Sequence, residues 1–182
     1  MNIVVFFSGT GTNLQSILQN EEKLNYKVVS TFNNTRDSSG IDRSQNFNVD
    51  CKILDHKKFD SREKFDEEIN VYLQKLNPDY VILAGYMRIL SNFLVEKWKQ
   101  KIINIHPSLL PKYPGLNTHE RALLAGDKLH GTTIHYVTSD LDAGPIIRQQ
   151  SIEIEPDDTI ESLTEKIKKL ENKIYPETIS NL

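Results

Sequence analysis

Cysteine is almost missing from this chain. Cys51 stands alone among 182 residues, so no internal disulfide can form and no CxxC pair exists to hold zinc. A single thiol at the head of an apolar run reads as a small buried residue, and the composition points to a reducing compartment, the cytoplasm. A basic excess is missing too, since 22 Lys and Arg against 25 Asp and Glu leave a net charge of −3. That balance offers no electrostatic footprint for a nucleic-acid backbone and no polybasic arm for an anionic membrane. A small anionic substrate needs only local donors and stays open. No apolar run approaches the roughly 20 residues that span a bilayer. The opening MNIVVFFSG lacks the basic region of a secretory signal and reads as a first strand. Linkers, internal repeats and low-complexity tracts are absent as well.

What is present is an alternation of apolar β-rich runs and helical patterns. Strands are expected at 2–7, 27–32, 51–54, 80–84 and 101–105. They are nearly continuous in apolar or β-branched residues, as befits strands covered on both faces. Helices are expected at 13–20, 61–76 and 92–99. In the second of these, Phe65, Ile69, Tyr72 and Leu76 come at spacings of four, three and four. The order βαβα implies a parallel sheet with right-handed crossovers. Beyond residue 115 the pattern changes. A helix near 118–125 precedes two strand-like runs, 130–138 and 144–154, separated only by the turn SDLDAG. So short a link forbids a parallel crossover, and the two runs pair antiparallel. A last helix, 159–174, carries the core stripe Ile160, Leu163, Ile167, Leu170 and Ile174. The fold class is therefore α/β: one domain over 1–182, with a mostly parallel, Rossmann-like twisted sheet flanked by helices and an antiparallel pair near its C-terminal part. Residues 1–100 and 101–182 are expected to form its two halves.

The stretch FFSGTGTNLQ (6–15) sets glycines at 9 and 11 between a strand and a helix. Glycine permits positive φ and close backbone approach there, and the helix after it presents free N–H groups and its positive dipole end. That is the physics of a phosphate site, to which Thr10, Thr12 and Asn13 add donors. The dinucleotide fingerprint wants a third glycine where Leu14 stands and an acid where the second strand ends in FNN. There is no GK[ST] after the loop either. A phosphate monoester fits better than a dinucleotide or a nucleoside triphosphate.

A second constellation lies in INIHPSLLPKYPG (103–115). Asn104 and His106 are two residues apart at the end of the fifth strand, so both side chains point to one face. Carboxyl ends of strands are where open α/β sheets bind ligands. Pro107 holds His106 extended, and Pro111 and Pro114 stiffen the rest of the segment. An amide N–H and an imidazole can stabilise a developing oxyanion, and the imidazole can move protons. A carboxylate beside the ring would orient it and favour its charged form. SDLDAGP (139–145) supplies both Asp140 and Asp142, and their spacing does not choose between them. The five histidines show no HxxxH or HExxH spacing, so no catalytic metal is expected. Ser108 lacks a GxSxG elbow, so nucleophilic catalysis is not expected.

The segments SGTGTNLQ (8–15), VILAGYMRILS (81–91), NIHPSLLPKYPG (104–115), HGTTIHYV (130–137) and DLDAGPII (140–147) occur in this order and at these separations. Together they resemble the glycinamide ribonucleotide formyltransferases, folate-dependent transferases of purine synthesis. The stretch 104–115 and its spacing to Asp142 are specific for the wider formyltransferase superfamily; SGTGTN narrows the likeness to the purine enzymes. The resemblance implies formyl transfer from 10-formyltetrahydrofolate, a co-substrate, to the amine of glycinamide ribonucleotide, without a metal. It implies a catalytic trio of Asn104, His106 and Asp142. It assigns Gly11, Thr12, Asn13, Lys168 and Glu171 to the ribonucleotide. It assigns Arg62, Met87, Arg88, Ile89, Leu90, Thr138, Ser139, Asp140 and Leu141 to the folate. Thr12 stands where a serine is common, which keeps the hydroxyl. The chain also stops at Leu182, before a further strand that many relatives carry. Related deformylases usually bear an extra N-terminal domain, and the transfer-RNA formylating relatives a C-terminal one. The expected partners are the two small molecules, with no nucleic acid or membrane, and the expected state is a monomer or homodimer.

Overall fold

The computed structural model describes residues 1–182. β1 (Asn2–Phe7) is an inner strand of a seven-stranded sheet, and its residues Ile3 to Phe7 are wholly buried. Alternation splits them between two cores. Ile3, Val5 and Phe7 pack with α1 (Thr12–Asn20) and the long C-terminal α6 (Ile160–Ser180). Val4 and Phe6 pack on the other face with α3 (Arg62–Leu76) and α4 (Asn92–Lys97). A central parallel strand sandwiched this way must be apolar on both sides, which explains its unbroken hydrophobic run.

The strand order is β3-β2-β1-β4-β5-β6-β7. β2 (Lys27–Asn33), β3 (Cys51–Ile53), β4 (Tyr80–Leu83) and β5 (Ile102–His106) join β1 in parallel. β6 (Leu129–Tyr136) runs antiparallel to β5, and β7 (Ile146–Glu153) antiparallel to β6. The expected α/β architecture with an antiparallel C-terminal pair is thus the observed one. Gly131 and Gly144 let β6 and the returning chain approach closely. A Cβ at Gly144 would lie 1.8 Å from the Tyr136 carbonyl oxygen, and one at Gly131 would lie 2.2 Å from that of Gln150.

Most boundaries shift by one or two residues, and three differences bear on the site and the core. β5 begins one residue later and ends on His106, so the histidine belongs to the strand. α2 (Gly40–Asn46) has no counterpart among the expected helices, because a short helix with a single buried apolar residue, Ile41, carries no readable periodicity. The last helix does not stop at Ile174 but runs six residues further, through Pro176. A proline inside a helix removes the N–H that would bond the carbonyl four residues back. Here that carbonyl, Asn172 O, instead accepts a hydrogen bond from Ser16 Oγ of α1. Tyr175 and Ile179, both fully buried, hold the extension on the core.

Candidate active site

The glycine turn between β1 and α1 forms as the sequence suggests. Gly11 takes φ 70°, in the left-handed region, and caps α1, whose first turn contains no acidic residue to neutralise its positive end. Ser38 Oγ and the Gly40 amide donate to Gly9 O, and Arg43 Nε donates to Thr10 O, so α2 and the residues before it brace the turn from behind. Thr12 is the first residue of α1. Asn13 is the second and donates through Nδ2 to Glu171 Oε2 at 3.0 Å.

Asn104 and His106 lie on the same face of β5, at its carboxyl end. The register of the neighbouring antiparallel strand sets His135 directly opposite Asn104, and directly opposed side chains on one face meet. Asn104 Nδ2 lies 3.3 Å from His135 Nε2. His135 Nδ1 lies 2.9 Å from the Tyr136 carbonyl, which only a protonated nitrogen can bond. Nε2 is then the acceptor and fixes the Asn104 amide with its nitrogen toward β6. Burial pushes the His135 pKa down, consistent with this neutral tautomer.

His106 is buried, with Nε2 2.9 Å from the Tyr113 carbonyl and Nδ1 3.4 Å from Asp142 Oδ2. Both ring nitrogens therefore face acceptors. The spacing alone leaves Asp140 and Asp142 as equals; the turn chooses. Asp142 adopts φ 51°, a conformation that aspartate tolerates, and its side chain is only 8% exposed. Its Oδ2 accepts from the Gly115 amide at 2.8 Å, and its Oδ1 lies 3.8 Å from His135 Nε2. Asp140 is exposed.

These groups open onto one cavity of about 740 Å³, within the range of small-molecule sites. Asn13, Asn104, His106, Asp142 and Glu171 all line it, so the structure brings the expected catalytic trio and two ribonucleotide-assigned residues together. Met87, Arg88, Ile89 and Leu90 form a second wall, and Thr138, Ser139, Asp140 and Leu141 a third. Gly11 and Thr12 belong to the turn and helix start beside Asn13 but do not line the cavity. Lys168, one turn before Glu171 on α6, pairs with Glu165 at 3.1 Å and is half exposed. Arg62, at the exposed start of α3, does not line the cavity. Arg88 stacks its guanidinium 5.0 Å from the Phe65 ring centroid.

Glu171 is buried and its pKa is raised by that burial. Thr132 Oγ1 has one proton to give, with the His106 carbonyl at 2.9 Å and Glu171 Oε1 at 3.3 Å. The nearer carbonyl takes it, and a neutral Glu171 can donate to the hydroxyl in turn.

Several site groups carry no signal in the sequence. His135 has no spacing motif, and only the β5–β6 register reveals it. The Tyr113 carbonyl and Gly115 amide are backbone groups that residue identity cannot announce. His119 lines the cavity and bonds His130 across 3.0 Å between Nδ1 and Nε2. Its position on a seven-residue helix gives no sign of this. No group of three or more metal-ligating side chains lies close enough together to hold an ion.

The chain is similar to known proteins along nearly its whole length. The formyl transferase family profile matches residues 1–179. The phosphoribosylglycinamide formyltransferase of Escherichia coli K12 is 43% identical over 182 residues, covering 99% of this chain and 86% of that protein. The human trifunctional purine biosynthetic protein adenosine-3 is 39% identical over 176 residues, covering 96% of this chain but only 17% of its own length. The solved structure of the phosphoribosylglycinamide formyltransferase of Coxiella burnetii superposes with a TM-score of 0.96 at 45% identity, over 99% of this chain and 85% of that one. The chain belongs to the formyl transferase family, among its phosphoribosylglycinamide formyltransferases.

Proposed function

We propose that the chain transfers the formyl group of 10-formyltetrahydrofolate to the primary amine of glycinamide ribonucleotide, with Asn104, His106 and Asp142 as the catalytic groups. The observation that carries this reading is the convergence of an amide, an imidazole and a carboxylate on one cavity that reaches Asn13, just past the glycine turn. The turn and α1 would hold the ribonucleotide phosphate through backbone N–H groups, with Asn13 and Glu171 nearest the ribose. The walls at 87–90 and 138–141 would take the folate.

The amine attacks the formyl carbon, a C–N bond forms, and the carbonyl oxygen becomes an oxyanion. Asn104 has one N–H on His135 and a second free to meet that charge. The Nδ1 contact of His106 with Asp142 is long for a hydrogen bond at 3.4 Å. That N–H can therefore be shared with the oxyanion while the carboxylate holds the ring in place. When the intermediate collapses, the C–N10 bond breaks and the folate nitrogen takes a proton, through His106 or water. The amine loses one. A pocket sealed by the 107–117 segment would strengthen each of these interactions by limiting water.

The test mixes purified protein with both compounds and follows absorbance as the folate loses its formyl group. The expected result is turnover that requires both. Formate release from the folate alone, at the same rate with or without ribonucleotide, would overturn the reading in favour of hydrolysis.

A further inference from the structure

The wall of the cavity formed by Gly85 to Leu90 is irregular chain, and its attachment to the rest of the protein is sparse. Across these six residues, two backbone groups alone have hydrogen-bond partners within the protein, and both partners are Ser8. The Ser8 amide donates to Gly85 O at 3.1 Å, and the Met87 amide donates to Ser8 Oγ at 2.8 Å. The segment is next fixed at Ser91, whose amide bonds Asp66 Oδ2 at 2.5 Å. Ser8 itself does not line the cavity.

The Ser8 hydroxyl is not free to swing. It donates to Asn34 Oδ1 at 2.6 Å, which aims its lone pairs at Met87. Asn34 is buried and is held in turn, for His56 Nδ1 lies 2.8 Å from its carbonyl and the His56 amide 3.3 Å from the same oxygen. Asn34 thus transmits the position of the β2 and β3 ends to the hydroxyl. On its other side, Ser8 is followed at once by Gly9 and the turn that leads into α1. One residue therefore joins the 85–90 wall of the cavity to the glycine turn, which leads into the cavity-lining Asn13.

Resting on the function proposed above, we infer that Ser8 is a positioning residue for the folate substrate. It sets the 85–90 wall against the glycine turn through paired bonds to Gly85 and Met87. Its effect reaches the substrate through Met87 and its neighbours, so removing the hydroxyl loosens the folate wall and leaves the phosphate turn standing. Met87 is 67% exposed, so water can replace the lost partner of its amide without a large loss of fold stability. Position is lost instead. A single hydrogen bond of this kind corresponds to about a tenfold change in an equilibrium constant.

The test compares wild type, Ser8→Ala, Ser8→Thr and Asn34→Ala, first by thermal melt and then by steady-state kinetics with each substrate varied. Binding of tetrahydrofolate and of glycinamide ribonucleotide is measured alongside by calorimetry. In Ser8→Ala the KM for formyl-folate and the Kd for tetrahydrofolate should each rise about tenfold. The ribonucleotide constants should stay within about twofold, and kcat should fall by less than about threefold. Ser8→Thr, which keeps the hydroxyl, should restore most of the folate affinity. Should Ser8→Ala melt far below wild type, Asn34→Ala tests the same link, with an expected rise of about threefold in folate KM. Folate constants unchanged in folded Ser8→Ala, or an equal loss in Ser8→Thr, would overturn the inference. Wild-type protein that binds tetrahydrofolate but moves no formyl group would overturn the proposed reaction and leave the binding result to judge Ser8 separately.

Discussion

The chemistry of the site rests on single groups whose settings differ sharply although they share a neighbour. His106 and His135 lie on adjacent strands and both approach Asp142, yet one faces two acceptors and the other is held neutral by burial and a backbone carbonyl. The carboxylate is held by the Gly115 amide and so cannot follow either ring freely. Asp142→Asn keeps a side chain of the same shape and removes its charge. We expect kcat to fall by about a hundredfold, while calorimetry shows ribonucleotide affinity within a few-fold of wild type. A kcat near that of wild type would remove the carboxylate from the mechanism. At this scale the sequence is informative where chemistry depends on residue type and strand parity, as for Asn104 with His106. It is silent on His135, because the pairing of β5 with β6 depends on register across some thirty residues and not on local spacing. It cannot separate Asp140 from Asp142, since that choice is made by one backbone rotation, φ 51° at Asp142.

Among the secondary elements, α6 shows how a local rule gives way to packing. A proline normally ends a helix, and the expected boundary at Ile174 obeys that rule. The helix continues because Ser16 satisfies the carbonyl that Pro176 abandons and because Tyr175 reaches through the core, its hydroxyl set between Leu83 O at 3.0 Å and Ile103 O at 3.2 Å on two adjacent strands. Ser16→Ala would leave the Asn172 carbonyl without that donor in a mostly buried place. We expect a loss of about 1 to 2 kcal/mol in urea unfolding, with the m-value unchanged. No loss would mean that α6 tolerates Pro176 without help from α1. The strands are legible because a sheet covered on both faces demands unbroken apolar runs, and those survive any detail of packing. α2 is not legible, because its role is to brace the glycine turn with Arg43 and Gly40, and bracing leaves no hydrophobic period.

For the molecule as a whole, acid stability should carry the mark of buried histidines. His130 is 1% exposed, and its pKa is pushed down to about 4, first by burial and then by the neighbouring His119; Asp127 opposes the shift. The His119 pKa is lowered as well, mainly by burial and then by Lys168. Between pH 6.5 and about 4 the unfolded chain binds a proton that the folded His130 refuses, so stability falls as pH drops through that window. The slope from one such group cannot exceed about 1.4 kcal/mol per unit. His130→Gln should flatten this part of a stability profile measured by denaturant titration from pH 8 to 4. An unaltered slope would show that His130 is protonated in the folded protein.

The proposed reaction depends above all on Asn104 and His106 stabilising an oxyanion together, and single-turnover kinetics read that step in isolation. Enzyme in excess over formyl-folate, at saturating ribonucleotide, separates the chemical step from binding and release. Asn104→Ala and His106→Ala should each slow that step by about a hundredfold to a thousandfold, with both substrates still bound at close to wild-type affinity. A chemical step at wild-type speed in either folded variant would be incompatible with oxyanion stabilisation by the pair.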